Sequence, residues 1–486
     1  MRRAPKSTRH SPALPSSTFV LDNGGYSIKA GFAPSEPVED TEALLKCHII
    51  PNTLVRSRER KVYVGSHSEE ITQWSEALFR RPVENGQVVS WEAQKEIWDQ
   101  SFFDERTAQK DLLVKSPEDT TLIFTEPPNT MPAFQKNADE IIMEEWAFGG
   151  YSRVIAGASL NAYNDLHPLF EGPSYTKQDN DPMAGLPIEC VLVIDSGYSH
   201  TTITPLFNGR PLHRAIRRLD FGGKHLTNLL KEVISVRHFD LHQDTKIVND
   251  IKEDVCFVSN NFRRDLEKTW KGNKTRQKST PSEPKGSHGA VDPEQMVSAE
   301  DEEIRVDYIL PDGIRILRGF SRPHDPTPTA ARKRKQAALS SEPDAEISMT
   351  LGNERFSIPE IIFSPGDIGS KQPGLPDIVM QSLSVLPPLV QVTMLSNVFL
   401  VGGNARIPGF LERLEAELRT RVKTEWKVRV RKMPDPVTST WLGGARLSSG
   451  FPEIVREYGV TREEYLEHGS AWVARRFVGG GSGKGP

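Results

Sequence analysis

The chain is predicted to fold as an α/β protein of two similar lobes, on three observations. Its 486 residues exceed the roughly 250–300 at which a single hydrophobic core stops growing. An apolar strand running straight into an Asp-Xaa-Gly turn occurs twice, as LDNGGYSIK at 21–29 and IDSGYSHT at 194–201, the spacing of an internal repeat. Strand-length apolar runs alternate with helical periodicity in both halves, which argues for parallel-type sheets covered by helices.

Taken in order, residues 1–16 are basic and rich in Pro and Ser, the composition of a disordered tail. A strand at 18–21 enters Asp22-Asn23-Gly24-Gly25. KVYVG at 61–65 is a short strand, and the turn Glu84-Asn85-Gly86 leads to a helix over 91–98. TLIFT at 121–125 reads as a buried strand, closed by Glu126-Pro127-Pro128. Pro132 opens a helix with Phe134, Ala138, Ile141, Ile142 and Trp146 near helical spacing. A strand at 152–156 follows, then a polar link at 171–187. The apolar run 190–194 ends in Asp195-Ser196-Gly197, and helices are predicted over 226–236 and 246–262. Two stretches, 271–299 and 321–344, hold few large apolar residues and read as surface insertions, because neither buries enough area to offset its ordering entropy. A last buried strand, 397–401, ends in Gly402-Gly403. Ile407-Pro408-Gly409 then opens a helix with Phe410, Leu411, Leu414 and Leu418 on one face, and GGGSGKGP after Val478 reads as a flexible tail.

Composition narrows the function classes. Three widely spaced cysteines (Cys47, Cys190, Cys256) argue against a disulfide framework or a cysteine zinc site and for a reducing compartment. The basic first ten residues are followed by no apolar run, and no stretch approaches the roughly 18 apolar residues of a membrane helix, so a soluble intracellular protein without membrane contact is expected. A net charge of −4 implies no nucleic-acid partner by bulk electrostatics. Basic residues nonetheless concentrate at 2–9, 263–285 and 332–335 (RKRK); such runs are usually solvated faces, with nuclear import or weak DNA contact as the functional alternatives. No HExxH or GxSxG spacing occurs, and His200, directly after the second turn, reads as a structural histidine rather than a base.

The turns suggest chemistry. Phosphates are held by backbone N–H groups that tight glycine turns present, and a hydrated cation needs carboxylates at strand ends. Asp22-Asn23-Gly24-Gly25 and Asp195-Ser196-Gly197 each put a carboxylate and a glycine turn after an apolar strand, and Gly402-Gly403-Asn404 adds a third turn suited to a base or ribose. Singly each reads as an ordinary hairpin; three in order point to a nucleotide cleft.

LDNGGYSIKAGFAP resembles the opening of actin, and so do PVENGQVVSWEAQKEIW, FTEPPNTMP, VIDSGYSHTTITP, IKEDVCFVS, LGNERF, VGGNARIPGF and Trp441-Leu442-Gly443-Gly444. The likeness runs from about 17 to 478. NLLKEVISVRHFDLHQDTKIVNDIKEDVCFVS, FSPGDIGSKQPGLPDIV and the short piece between Pro51 and Pro82 most resemble the actin-related protein 6 class within that superfamily. The resemblance implies the actin-like two-lobed fold, with duplicated ribonuclease-H-like domains and four subdomains around the cleft. The first subdomain would take 17–51, 82–170 and 437–478, and the short second 52–81. The third would take 171–220 and 304–436, with insertion 321–344, and the fourth 221–303, with insertion 271–299.

Carried over residue by residue, the resemblance puts Asp22, Asn23, Gly24 and Lys29 in a first phosphate loop and Asp195, Ser196 and Gly197 in a second. Lys252 and Glu253 would flank the purine, and Gly402, Gly403 and Asn404 would lie under the base. Asp22 and Asp195 would hold magnesium through water, and the ligand would be ATP or ADP. Four departures bear on hydrolysis. Gly25 and Tyr26 stand where actin has serine and glycine, and Tyr198-Ser199 where it has Asp-Gly. Gly157 stands for the glutamine that positions the attacking water, and Val437 for the lysine beside the adenine. A glycine at 157 has no side chain with which to orient water.

These expectations describe a non-motor, non-enzymatic scaffold in the nucleus, with the cytoplasm as a second location. By resemblance it would be a subunit of an SWR-type chromatin-remodelling complex that installs a variant histone. Its partners would be the remodeller ATPase, other subunits including a zinc-finger protein, and nucleosomes or histones. A working ATPase that assembles filaments is the alternative, opposed by Gly157 and the shortened 52–81 stretch. A sugar-kinase relative would share the cleft but needs a catalytic carboxylate that the sequence does not supply.

Overall fold

The computed structural model describes residues 13–71, 74, 77–172, 187–276, 304–325 and 346–478. Two six-stranded sheets form the centres of two lobes. In the first, the spatial order is Val460–Thr461, Gly150–Ile155, Thr120–Glu126, Ser17–Asn23, Ser27–Phe32 and His48–Pro51. In the second, Arg210–Pro211, Thr201–Phe207, Cys190–Ser196, Val398–Val401 and Val430–Arg431 run side by side, and Arg217–Leu219 also pairs with Thr201–Phe207.

The internal repeat is visible in the ladders. Ser17–Asn23 pairs antiparallel with Ser27–Phe32, Asp22 opposite Lys29, and parallel with Thr120–Glu126, Asp22 opposite Thr125. Cys190–Ser196 likewise pairs antiparallel with Thr201–Phe207, Asp195 opposite Thr202, and parallel with Val398–Val401, Asp195 opposite Val401. Both aspartates thus stand at the carboxyl end of a central strand, where ligands of open α/β sheets bind.

Each sheet is buried on both faces, as its near-continuous apolar strands require. Phe19, Leu21, Leu122 and Phe124 pack with Trp98, Phe102 and Trp146 on the outer face of the first. Leu192, Ile194 and Leu400 pack with Leu226, Leu230, Phe410, Leu414 and Leu418 on that of the second. Between the lobes, Val20, Ile123, Val191, Val193 and Phe399 share a third cluster with Leu160, Trp441 and Leu442. Its spine is the helix Ser439–Gly450, whose Trp441 Nε1 donates to Val20 O at 3.2 Å, while Ser439 and Thr440 bond Asn161. Two three-stranded sheets cap the lobes: Leu54–Arg56 between Val62–Val64 and Leu78–Arg80, and Val306–Ile309 between Phe320–Pro323 and Ser348–Leu351.

Three sequence expectations are corrected. The helix predicted over 246–262 is two helices, Thr245–Val255 and Phe262–Arg276. The chain between them is drawn out by backbone bonds from Phe257 N to Arg355 O and Val258 N to Pro408 O. The stretch 271–299 therefore begins inside a helix. The stretch 321–344 begins inside the edge strand Phe320–Pro323, paired register for register with Val306–Ile309. Residues 277–299, residues 326–344 with the basic run 332–335, most of the 1–16 and 171–187 segments and the GGGSGKGP tail lie outside the described residues. No helix among the described residues is long and apolar enough to cross a membrane.

Candidate functional site

The two hairpin turns face each other across a cleft of about 690 Å³, within the range of small-molecule and cofactor sites. Asp22, Asn23, Gly24, Lys29, Asp195, Gly197, Lys252, Glu253, Gly402, Gly403 and Asn404 all line it. The structure thus gathers eleven of the twelve predicted nucleotide-binding residues from segments nearly 400 positions apart.

The exception is Ser196. Its side chain is fully buried, 2.9 Å from Thr201 Oγ1, and accepts from Asn404 Nδ2 at 3.1 Å. Asn23 is corrected in part. It lines the cleft, but its side chain bonds Gln94 Oε1 at 3.3 Å and Trp98 Nε1 at 3.2 Å inside the lobe. Both residues follow their aspartate on the same strand, and successive strand side chains point to opposite faces. That alternation was the available signal that the side chains of Asp22 and Asp195 point into the cleft while those of Asn23 and Ser196 bond within their lobes.

Asp22 is engaged twice in the described structure. Thr125 Oγ1 donates to its Oδ1 at 2.8 Å, and Lys29 Nζ lies 3.3 Å from its Oδ2. Asp195 has burial against it and then the charge of Asp22, which together raise its carboxyl to about 6 despite Lys29. Two mutually repelling carboxylates at strand ends are a suitable donor set for a hard hydrated cation. Among the described residues no group of three or more His, Cys, Asp or Glu side chains could hold a metal ion directly.

The turns are held from behind. Asn52, fully buried, donates to Gly24 O at 2.9 Å and exchanges amide bonds with Gln94. Asn404 Nδ2 donates to Gly197 O at 2.9 Å, and Gly223 N and Lys224 N, at the start of helix Gly223–Arg237, donate to Gly197 O and Tyr198 O. Gly402 has φ +92°, and a Cβ there would stand 2.5 Å from Ser196 O and 2.6 Å from Asp195 Oδ1. Only glycine lets this turn approach the second loop so closely. On the helix Thr245–Val255, Lys252, its pKa lowered by burial, donates to Asn249 Oδ1 at 2.8 Å and Thr227 Oγ1 at 3.0 Å. Glu253 accepts from Asn249 Nδ2 at 2.7 Å.

The departures have physical settings. A Cβ on Gly157 would meet Thr125 Cβ at 2.7 Å, and one on Gly25 would meet Ser199 Oγ at 2.5 Å. Tyr26 and Tyr198 both face the cleft, ring centroids 5.0 Å apart, and Asn249 Nδ2 donates to Tyr26 Oη across the lobes at 3.1 Å. Burial keeps the Tyr26 phenol above its ordinary pKa. His200 is pushed down to about 4, first by burial and then by Arg218. Its imidazole fits against Gly86, where a Cβ would lie 2.4 Å from Cε1, and its Nδ1 has no hydrogen-bond partner among the described residues.

Sequence reasoning missed Gln94, Asn52, Thr125 and Arg81. The first three act by position rather than by motif. Arg81 enters from the return strand of the small cap, and its guanidinium lies over both Tyr26 and Tyr198, 4.5 and 5.2 Å from the ring centres.

A family model described as Actin matches residues 13–478. The chain belongs to the actin family. It is 51% identical over 490 residues to the actin-like protein arp6 of Emericella nidulans, covering 97% of each chain. It is 45% identical over 477 residues to actin-related protein 6 of Neurospora crassa, covering 98% of each. To actin-related protein 6 of Drosophila melanogaster it is 31% identical over 466 residues, 95% of this chain and all of that one. The expected actin-like fold and the likeness to the actin-related protein 6 class are both borne out. An actin family cleft carries a general expectation of nucleotide binding.

Proposed function

We propose that the protein is a non-motor scaffold subunit of a nuclear chromatin-remodelling complex of the SWR type, exchanging a variant histone into nucleosomes. On this reading ATP or ADP with magnesium is a structural clamp between the lobes, turned over slowly or not at all. The observation that carries the non-motor part is the Thr125–Gly157 contact. The position that would orient an attacking water holds no side chain, and Thr125 fills the space one would take. Losing such a positioning group typically costs orders of magnitude in rate.

When bound, the nucleotide and its cation would neutralise charge between the lobes. Asp22 and Asp195 would orient the hydrated cation, Lys29 would offset their charge, the two glycine turns would offer N–H groups to phosphates, and Lys252 and Glu253 would border the base. Function then resides on the outer surfaces, which would meet the remodeller ATPase, a zinc-finger subunit and histones. The basic segments 2–9, 263–285 and 332–335 would add weak, salt-sensitive DNA contact.

Two measurements test this. Tagged protein recovered from nuclear extract should carry remodeller subunits, and their absence would remove the assembly part. Purified chain should release phosphate from ATP no faster than actin monomer and give no ATP-dependent pellet on sedimentation. Rapid release or a pellet growing with concentration would favour the filament-forming ATPase instead.

A further inference from the structure

Six Lys and Arg side chains line the cleft: Lys29, Arg81, Lys246, Lys252, Arg318 and Arg406. Four of them are ion-paired, to Asp22, Asp250, Asp254 and Asp435 respectively for Lys29, Lys246, Arg318 and Arg406. Among the described residues Arg81 and Lys252 have no carboxylate partner. Lys252 is committed to Asn249 and Thr227. Arg81 lies over the tyrosines that follow the two glycine turns.

The bonding of Arg81 leaves specific donors open. Nη1 donates to Tyr26 O at 3.1 Å and Asn52 O at 3.5 Å. These bonds and the two rings orient the guanidinium, while Nε and Nη2 have no hydrogen bond among the described residues. An oriented guanidinium with open edge donors and no counter-ion is matched by a phosphate, which accepts two parallel N–H bonds. A carboxylate in the same place would cancel that preference, and the turn aspartate Asp22 is already paired with Lys29.

We propose that Arg81 is the phosphate-reading residue of this cleft, binding the phosphate chain of a nucleotide and tying that binding to the Tyr26–Tyr198 contact between the lobes. This rests on the nucleotide reading given above. It goes beyond it by making recognition depend on a residue of the small cap that lies outside both glycine turns.

The test is equilibrium binding of Mg·ATP, Mg·ADP and adenosine to the full chain, wild type against Arg81→Ala and Arg81→Lys. A charge-assisted hydrogen bond of ordinary strength predicts that Arg81→Ala weakens both nucleotides roughly tenfold to a hundredfold. Adenosine binding should change less than twofold, and Arg81→Lys should recover part of the loss. If wild type binds all three and Arg81→Ala binds the nucleotides unchanged, or loses adenosine equally, the assignment to Arg81 is overturned while nucleotide binding stands. If wild type binds none of the three, both readings fall. Should Arg81→Ala fail to fold, Arg81→Lys decides alone: nucleotide affinity equal to wild type overturns the proposal, because a lysine keeps the charge but not the paired donors.

Discussion

Thr125 and Gly157 stand in contact across neighbouring strand ends, so close that a Cβ at 157 would lie 2.7 Å from Thr125 Cβ. Thr125 cannot step aside freely, because its hydroxyl holds Asp22 at 2.8 Å and its backbone is in a central strand. Replacing Gly157 with glutamine is therefore expected to destabilise the chain by about 1–3 kcal/mol without creating phosphate release. Gly157→Gln combined with Thr125→Ala should regain most of the stability. Denaturant unfolding and a phosphate-release assay report both, and a single variant as stable as wild type would show that the site has room.

Gln94 is a second point of leverage. It is fully buried and completes the amides of both Asn23 and Asn52. Gln94→Leu preserves bulk but leaves those amides short of partners, at an expected cost of about 2 kcal/mol or more. Because Asn52 also carries Gly24 O, amide exchange at the first turn should quicken in the same variant. Loss of stability without that local change would mean that Gln94 supports only the core.

The glycine pair under the second loop should behave asymmetrically. At Gly402 an alanine needs φ +92° and meets Ser196 O and Asp195 Oδ1 within 2.6 Å, so Gly402→Ala should cost more than about 2 kcal/mol. At Gly403 nothing lies within 4 Å of an added Cβ, and Gly403→Ala should stay within about 0.5 kcal/mol of wild type. Melting curves of the two variants side by side check this, and equal losses would contradict the turn geometry.

A buried charge cluster sets a pH dependence. Arg153, fully buried, lies 2.8 Å from Asp139 and 3.5 Å from Glu126, with Gln135 donating to Glu126, Tyr151 beside Asp139 and Phe477 over the guanidinium. Burial outweighs the guanidinium, raising Glu126 to about 7 and Asp139 to about 6; Glu140 adds to the rise at Asp139. Folded carboxyls that hold protons more tightly than unfolded ones contribute stability that is full below about pH 4 and falls as pH rises through 6 to 7. Glu126→Gln should lose less stability than wild type between pH 5 and pH 8. An unchanged slope in urea midpoints would assign the dependence elsewhere.

The parts legible in sequence were those written locally. A carboxylate, a glycine turn and an apolar strand sit within a few residues of each other, so Asp22, Asp195 and Gly402 could be read directly. Strand alternation could also have turned Asn23 and Ser196 away from the cleft. Arg81 could not be read in this way, since its role arises only when the return strand of the small cap brings it over Tyr26 and Tyr198. Gln94 and Asn52 look in sequence like any surface amides, and only burial reveals them. The single helix predicted over 246–262 fails for a similar reason. Its periodicity is continuous, but Pro408 and Arg355, more than 90 positions away, compete for the backbone of residues 257 and 258.

The first lobe draws its last strand and part of its core from the end of the chain. Val460–Thr461 closes its sheet against Gly150–Ile155, and Tyr465 and Val473 pack among its buried residues. Its sheet and core are complete only once residues 460–473 are in place. A chain without this segment leaves the Gly150–Ile155 edge unpaired. A chain in that state exposes a sheet edge and apolar surface, and truncation into residues 460–473 should damage the half of the molecule encoded first.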